Sequence, residues 1–304
     1  MLTAILSRAD VSRHMQALHL LRELRETLTA RRKAASVQTL RFEPSSSEPG
    51  SILLRQAVVA GVPAWMVTVR SETTKGTRSV LQLHDSSTGQ LLAMMDAGHL
   101  TMLRASLMSA LAADVLARPE AKNVAVLGAG AAASSALKAL RLVRSIEEVW
   151  FHEPNVVDNF ELVHRLQTTL SMAIRAVDTP QEAVIDADIV VITGEVSLEG
   201  VSLKPGAHVT VLSAEKLLAA PISDPALQKA RRFCDASEPA LEWVLPFDAE
   251  LGEVLSNEKQ GRRGSHELTF FVSVSPAALD LVAAWHVFEG ARHDEALTRI
   301  DLEA

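Results

Sequence analysis

At 304 residues and 48% hydrophobic content, the chain is long enough for two domains, each with its own core. A formal charge of −7, with no basic stripe gathering the 30 Lys and Arg, excludes a nucleic-acid surface. The single Cys234 excludes internal disulfides and fits a cytoplasmic setting; no apolar run approaches a membrane span, and Arg8, Asp10 and Arg13 interrupt any secretory apolar region.

In chain order, residues 10 to 33 are predicted to form an amphipathic helix with a basic end at Arg31-Arg-Lys33. Pro44 to Gly50 is a loop by composition. Strand-like runs follow at Ile52–Val59, Ala64–Val69 and Ser79–His84, and Asp85-Ser-Ser-Thr-Gly89 turns the chain into Leu91–Met95. A long apolar helix spans Leu100 to Leu116 and stops at Arg118-Pro119. Beyond 122, strands and helices alternate, which implies a parallel sheet. Its strands are Val124–Leu127, Val149–His152, a weak Ala173–Ala176, Ile189–Ile192, Val209–Leu212 and, at the margin, Arg232–Cys234. Past about 245 the sheet pattern ends, and a final helix from Pro276 to Arg292 closes the chain.

One stretch carries chemistry on its face. Lys122-Asn-Val-Ala-Val-Leu-Gly128-Ala-Gly130-Ala-Ala-Ala133 is a buried strand running into Gly-x-Gly-x-x-Ala and then an Ala/Leu-rich helix. That is the order a dinucleotide diphosphate requires. Gly128 permits the turn, Gly130 lets the backbone approach the phosphates, and small Ala133 lets the helix pack on the strand. The helix N-terminus offers unpaired N–H groups to the anion. The following strand ends at Glu153, 23 positions beyond Gly130, where an acid accepts the adenosine ribose hydroxyls and repels a 2′-phosphate. NAD is therefore the expected cofactor, with NADP as the alternative, held by Gly128, Ala129, Gly130, Ala131, Ala132, Glu153, Thr193 and Ser213. The expected fold class is α/β. A doubly wound Rossmann sheet over 116–274 joins a second α+β domain for substrate and dimerisation, built from 1–115 and 275–304. The chain has no Tyr, which excludes a Tyr–Lys proton relay, and the ten His show no metal-ligand spacing.

The order of motifs resembles the ornithine cyclodeaminase/mu-crystallin family from about residue 37 almost to the end. The stretches are Leu91-Leu-Ala-Met-Met-Asp96 through Arg104-Ala-Ser-Leu-Met-Ser109, Leu127-Gly-Ala-Gly-Ala131 and Leu203-Lys-Pro-Gly-Ala-His-Val209. Glu250-Leu-Gly-Glu-Val-Leu255, Gly261-Arg-Arg, Glu267-Leu-Thr-Phe-Phe-Val-Ser273 and Asp280 complete them. The resemblance implies a homodimer, a small carboxylate-bearing imine or amino acid as substrate, and redox chemistry at the carbon–nitrogen bond. It leaves three readings open: an NAD(P)-dependent imine reductase or amino-acid dehydrogenase, a cyclodeaminase that releases ammonia, and a cofactor-binding dimer without turnover.

Arg suits the substrate carboxylate, because its guanidinium grips that group through two parallel hydrogen bonds. The resemblance points to Arg41 and Arg104 for this clamp; a structural ion pair of Arg104 with Asp96 is the competing reading. It places the proton-transferring acid at Glu215, one methylene longer than the family's Asp. The family's substrate-binding Lys matches Trp65, or Ala64 if the register slips, and Lys75 sits in a loop read over Arg70–Gly76. A family Thr, Gln and Gly are matched by Ala105, Ala132 and Ser275. The loss of the Lys in particular predicts a substrate other than ornithine.

Overall fold

The computed structural model describes residues 2–30, 35–43, 50–153, 160–194, 196, 198, 200–212, 225–236 and 246–302. The chain divides into two compact units, Met1–Arg104 with Pro276–Ala304, and Ala105–Ser275.

The first unit is built on a seven-stranded sheet. Its strands are β1 (Thr3–Leu6), β2 (Ala35–Phe42), β3 (Gly50–Val59), β4 (Ala64–Thr73), β5 (Gly76–Asp85), β6 (Leu91–Asp96) and, near the end of the chain, β15 (Thr298–Ile300), in the order β15-β1-β6-β5-β4-β3-β2. All neighbours are antiparallel except β1 and β6. The expected amphipathic helix is instead two, α1 (Arg8–His14) and α2 (Ala17–Thr29), broken where Met15 turns extended. A reciprocal Ser7/Asp10 capping box starts α1 and satisfies two of its open donors. Leu20, Leu21, Leu24 and Leu28 recur at helical spacing and bury one face of α2. The loop read at Arg70–Gly76 is mostly strand: β4 runs on to Thr73, and only Thr74 and Lys75 turn the hairpin. Alternation along β3 to β6 sends Ala57, Met66, Leu81, Leu83, Ala93 and Met95 to one buried face. The last helix, Ala277–Ala291, lies against that face and is buried almost all round, so its sequence carries little amphipathic period. The short β15 after it has no counterpart in the sequence reading.

The second unit holds eight parallel strands. They are β7 (Asn123–Leu127), β8 (Glu148–His152), β9 (Ile174–Ala176), β10 (Ile189–Ile192), β11 (His208–Val211), β12 (Arg231–Cys234), β13 (Ala249–Glu250) and β14 (Thr269–Val272), ordered β13-β12-β14-β11-β10-β7-β8-β9. Every described residue of β10, β11 and β14 is buried, as strands covered on both faces require. The expectation that the sheet ends near 245 fails at β14, which lies between β11 and β12 as an interior strand. Four residues, Thr-Phe-Phe-Val, are too few to show a period on their own. Helix α3 (Ala97–Leu116) begins three residues before the predicted start, and α4 (Gly130–Leu140) follows β7 directly. Ser275 has φ +55, in the left-handed region that favours Gly, the residue the resemblance expects there. Among the described residues no helix is long and apolar enough to cross a membrane.

Candidate dinucleotide and carboxylate sites

Chain order reverses at β7. From there the chain steps outward to β8 and β9, then returns to β10 on the other side of β7. Ligands of open parallel sheets bind at such a reversal, beyond the C-terminal ends of the strands. Gly128 and the Thr193–Gly194 pair lie together there. The Gly128 N–H donates to His152 O at 2.9 Å, and the Thr193 N–H donates to Leu127 O at 2.9 Å. Gly128 takes φ +108, and a Cβ on it would stand 2.5 Å from Gly194 N and 2.8 Å from Thr193 Oγ1. Only Gly fits, because two strand ends converge on it. Gly130, at φ +77, has open space where a Cβ would point.

Between them Ala129 is the N-cap of α4, extended, with no side-chain hydrogen bond to the helix. Its first N–H groups therefore lack the usual side-chain cap and face outward beside a partial positive charge. Ala131 is exposed and Ala132 half-buried, so neither fills the space over the turn, while fully buried Ala133 seats the helix on the sheet. At the end of β8, Glu153 keeps Oε2 buried with no hydrogen-bond partner among the described residues. A buried carboxylate oxygen left without a donor is costly unless a ligand supplies one. An anion cradle with a neighbouring hydroxyl acceptor fits the adenosine diphosphate half of NAD. The Thr193 hydroxyl is turned back to Leu127 O at 3.4 Å. Ser213 and Glu215 lie outside the described residues.

A second polar cluster belongs to the first unit. Arg41, Arg55 and Arg70 share the inward face of its sheet, since Leu53 pairs with Arg41 on β2 and Arg70 on β4, and Arg55 lies two residues along. Arg41 donates to Ser51 Oγ at 3.2 Å, Ser51 donates to Glu72 Oε2 at 3.1 Å, and Arg70 pairs with Glu72 at 2.7 Å. Fully buried Arg104 on α3 donates from Nε to Asp280 of the last helix at 2.9 Å, and Arg55 approaches the other Asp280 oxygen at 3.9 Å. Asp96 is therefore not the partner of Arg104. It accepts the His99 N–H at 2.8 Å and meets Arg8 at 3.4 Å. Among the described residues, Glu72 and Asp280 are the acids shown to meet these Arg. Sequence reading missed Arg55, Arg70 and Glu72. For Arg55 the signal was a charged residue in the inward phase of a strand otherwise lined by Leu53 and Ala57.

Trp65 is not brought to this cluster. It pairs with Val58 and His84 on the opposite face of the sheet and stacks on the His84 ring at 4.1 Å, nearly parallel. Buried Met66 occupies the inward position beside it. Lys75, at the hairpin tip, is exposed.

The family model of the ornithine cyclodeaminase/mu-crystallin family matches residues 1–295. The chain belongs to this family. It is 28% identical over 272 residues to a Delta(1)-pyrroline-2-carboxylate reductase of Bacillus cereus, covering 82% of this chain and 84% of that one. It is 32% identical over 219 residues to the ketimine reductase mu-crystallin of Mus musculus, covering 68% and 67%. Among solved structures, the Thermococcus litoralis Delta(1)-pyrroline-2-carboxylate reductase in complex with NADH and L-proline superposes with a TM-score of 0.85 at 23% identity, over 98% of this chain and all (100%) of that one.

Proposed function

We propose that this family member is an NAD(P)H-dependent reductase of an imine whose C=N carbon carries a carboxylate, with a small cyclic imino acid as substrate. The observation that carries the reading is the uncapped N-terminus of α4 behind the Gly128–Gly130 turn, with a Glu153 oxygen that has no partner among the described residues at the end of the next strand. The relatives that reduce pyrroline-2-carboxylate and ketimines support the substrate class.

Bound NADH would supply a hydride to the imine carbon. Gly128 to Ala132 and Glu153 would hold its adenosine diphosphate half, with Thr193 at the end of a neighbouring strand; Ser213 is the further cofactor contact of this reading. The carboxylate of Glu153 favours NADH over NADPH, because a 2′-phosphate would bring a second negative charge against it. Arg41 and Arg55 are the carboxylate clamp of this reading. Arg104 keeps its Nε on Asp280 and so braces the cluster from beneath, in addition to the clamping role the resemblance assigns it. Glu215 would hold the proton that the reduced nitrogen requires. Trp65 has its place in the other face of the sheet, and the reading gives it no contact with substrate.

That other face also supports a homodimer. Leu40, Phe42, Val58 and Val80 are between 41% and 56% exposed on one side of the antiparallel sheet, and a second copy would cover them. The single, buried Cys234 suits a reducing compartment, which we take to be the cytoplasm.

The test is kinetic. Purified protein is mixed with NADH, and separately NADPH, and loss of the reduced nicotinamide is followed against five- and six-membered cyclic ketimine carboxylates. Saturable turnover with conversion to the cyclic amino acid is expected. Ammonia released from a diamino acid without net change in NADH would replace the proposal with a cyclodeaminase. Cofactor binding with no turnover on any substrate would reduce it to a binding protein.

A further inference from the structure

The fold gathers three metal-ligand side chains that sequence spacing did not connect. His19 and Glu23 are one turn apart on α2, and His286 comes from the last helix 263 residues beyond Glu23. Their donor atoms all lie within 4.8 Å of one another. We propose that His19, Glu23 and His286 form a binding site for one divalent ion of the zinc class, which ties α2 to the last helix.

The geometry is close to what such an ion needs. Ligands about 2.0–2.2 Å from zinc in a tetrahedron stand roughly 3.3 Å apart. Here His286 Nδ1 lies 3.0 Å from Glu23 Oε2, and His19 Nε2 lies 3.5 Å from Glu23 Oε1. The two imidazole rings meet edge to face with centroids 5.4 Å apart. The His286 side chain is only 6% exposed, and its Nε2 is buried with no hydrogen-bond partner among the described residues. Its ligand atom is Nδ1, the ring nitrogen that meets Glu23.

His19 is 62% exposed at the rim, and a surface groove lined by Gln16, Ala17, Leu18 and Arg22 reaches it. The site has an inner, fixed ligand and an outer, adjustable one, with solvent to complete the coordination. Two imidazoles and one carboxylate select zinc, cobalt or nickel over calcium or magnesium. The ion would stabilise the folded chain by mass action, raising the folded-to-unfolded ratio about 100-fold at a free concentration 100 times Kd.

The full-length protein, stripped with a chelator and dialysed, is titrated with zinc chloride by calorimetry. Thermal unfolding is read with and without the metal, and cobalt(II) is added to read its visible absorption. One equivalent of zinc per chain, a raised Tm and tetrahedral cobalt bands are expected. His19→Asn, an exposed substitution that leaves folding intact, and Glu23→Gln should each weaken zinc binding at least 10-fold and abolish the Tm rise. The proposal is overturned if the wild-type chain takes up no stoichiometric zinc, or if both variants bind it as tightly as wild type.

Discussion

In the proposed function, Glu153 is the residue on which cofactor choice turns. Among the described residues its buried Oε2 has no donor, and a hydrogen bond to a charged group contributes about 1.5–3 kcal/mol. Glu153→Ser should therefore raise the KM for NADH roughly 10- to 100-fold while leaving or improving that for NADPH. Steady-state kinetics with both nucleotides reads this directly, and an equal loss for both would remove Glu153 from the ribose site. The acid was legible in sequence because its distance from the glycine turn is set by one β-α-β repeat. The arginines were legible only in part. Arg104 announced itself as a charge inside an apolar helix, but its partner lies 176 residues away, and nothing local distinguishes Asp280 from Asp96. Trp65 was located by matching a motif, and the motif says nothing of the face: strand alternation sends it to the side of the sheet opposite Arg41.

Among the elements, α4 gives a test with two signs. Its N-cap residue Ala129 is already in the extended conformation that an N-cap requires, yet offers no acceptor. Ala129→Asp should cap the helix and stabilise the unliganded protein by about 1 kcal/mol. The same carboxylate would occupy the anion cradle and weaken NADH at least 10-fold. A rise in Tm together with loss of affinity, measured on one preparation, is the expected pair; unchanged affinity would mean that the diphosphate is elsewhere.

Strand β11 carries a different consequence. Burial, with Arg262 and Arg144 nearby, pushes the wholly enclosed His208 down to about 3. The unfolded chain protonates this His near pH 6.5 and the folded chain does not, so stability is present above 6.5 and declines as pH falls toward about 3. The loss attributable to it between pH 6.5 and 5 is roughly 2 kcal/mol. His208→Gln should flatten that part of the urea-unfolding profile, whereas an unchanged slope would place the acid sensitivity in other groups. The parallel strands were legible because continuous apolar runs mark a sheet covered on both faces. The helix break at Met15 and the four-residue β14 were not, since no Gly or Pro marks the first and the second is shorter than any period.

At the scale of the whole molecule, both terminal segments contribute to one unit, and an unbroken block of chain forms the other. The composition announced two cores, and the order of strand and helix patterns showed which was the parallel sheet. The division inside α3, between Arg104 and Ala105, left no mark in the sequence, because the helix runs on without a turn signal. The exposed apolar side of the antiparallel sheet is where the proposed second copy would sit. Leu40→Glu combined with Val58→Lys should convert a dimer to a monomer by light scattering, with the parallel-sheet unit still folded; a wild-type protein that is already monomeric would remove this face as an interface.

Calorimetric titration of the wild-type chain with NADH and with ADP-ribose tests most directly whether the glycine turn holds a diphosphate. Both should bind at one site per chain and compete with each other, since the adenosine diphosphate half supplies the contacts to Gly128–Ala132 and Glu153. No heat of binding from either ligand, or NADH binding that ADP-ribose fails to displace, would contradict it.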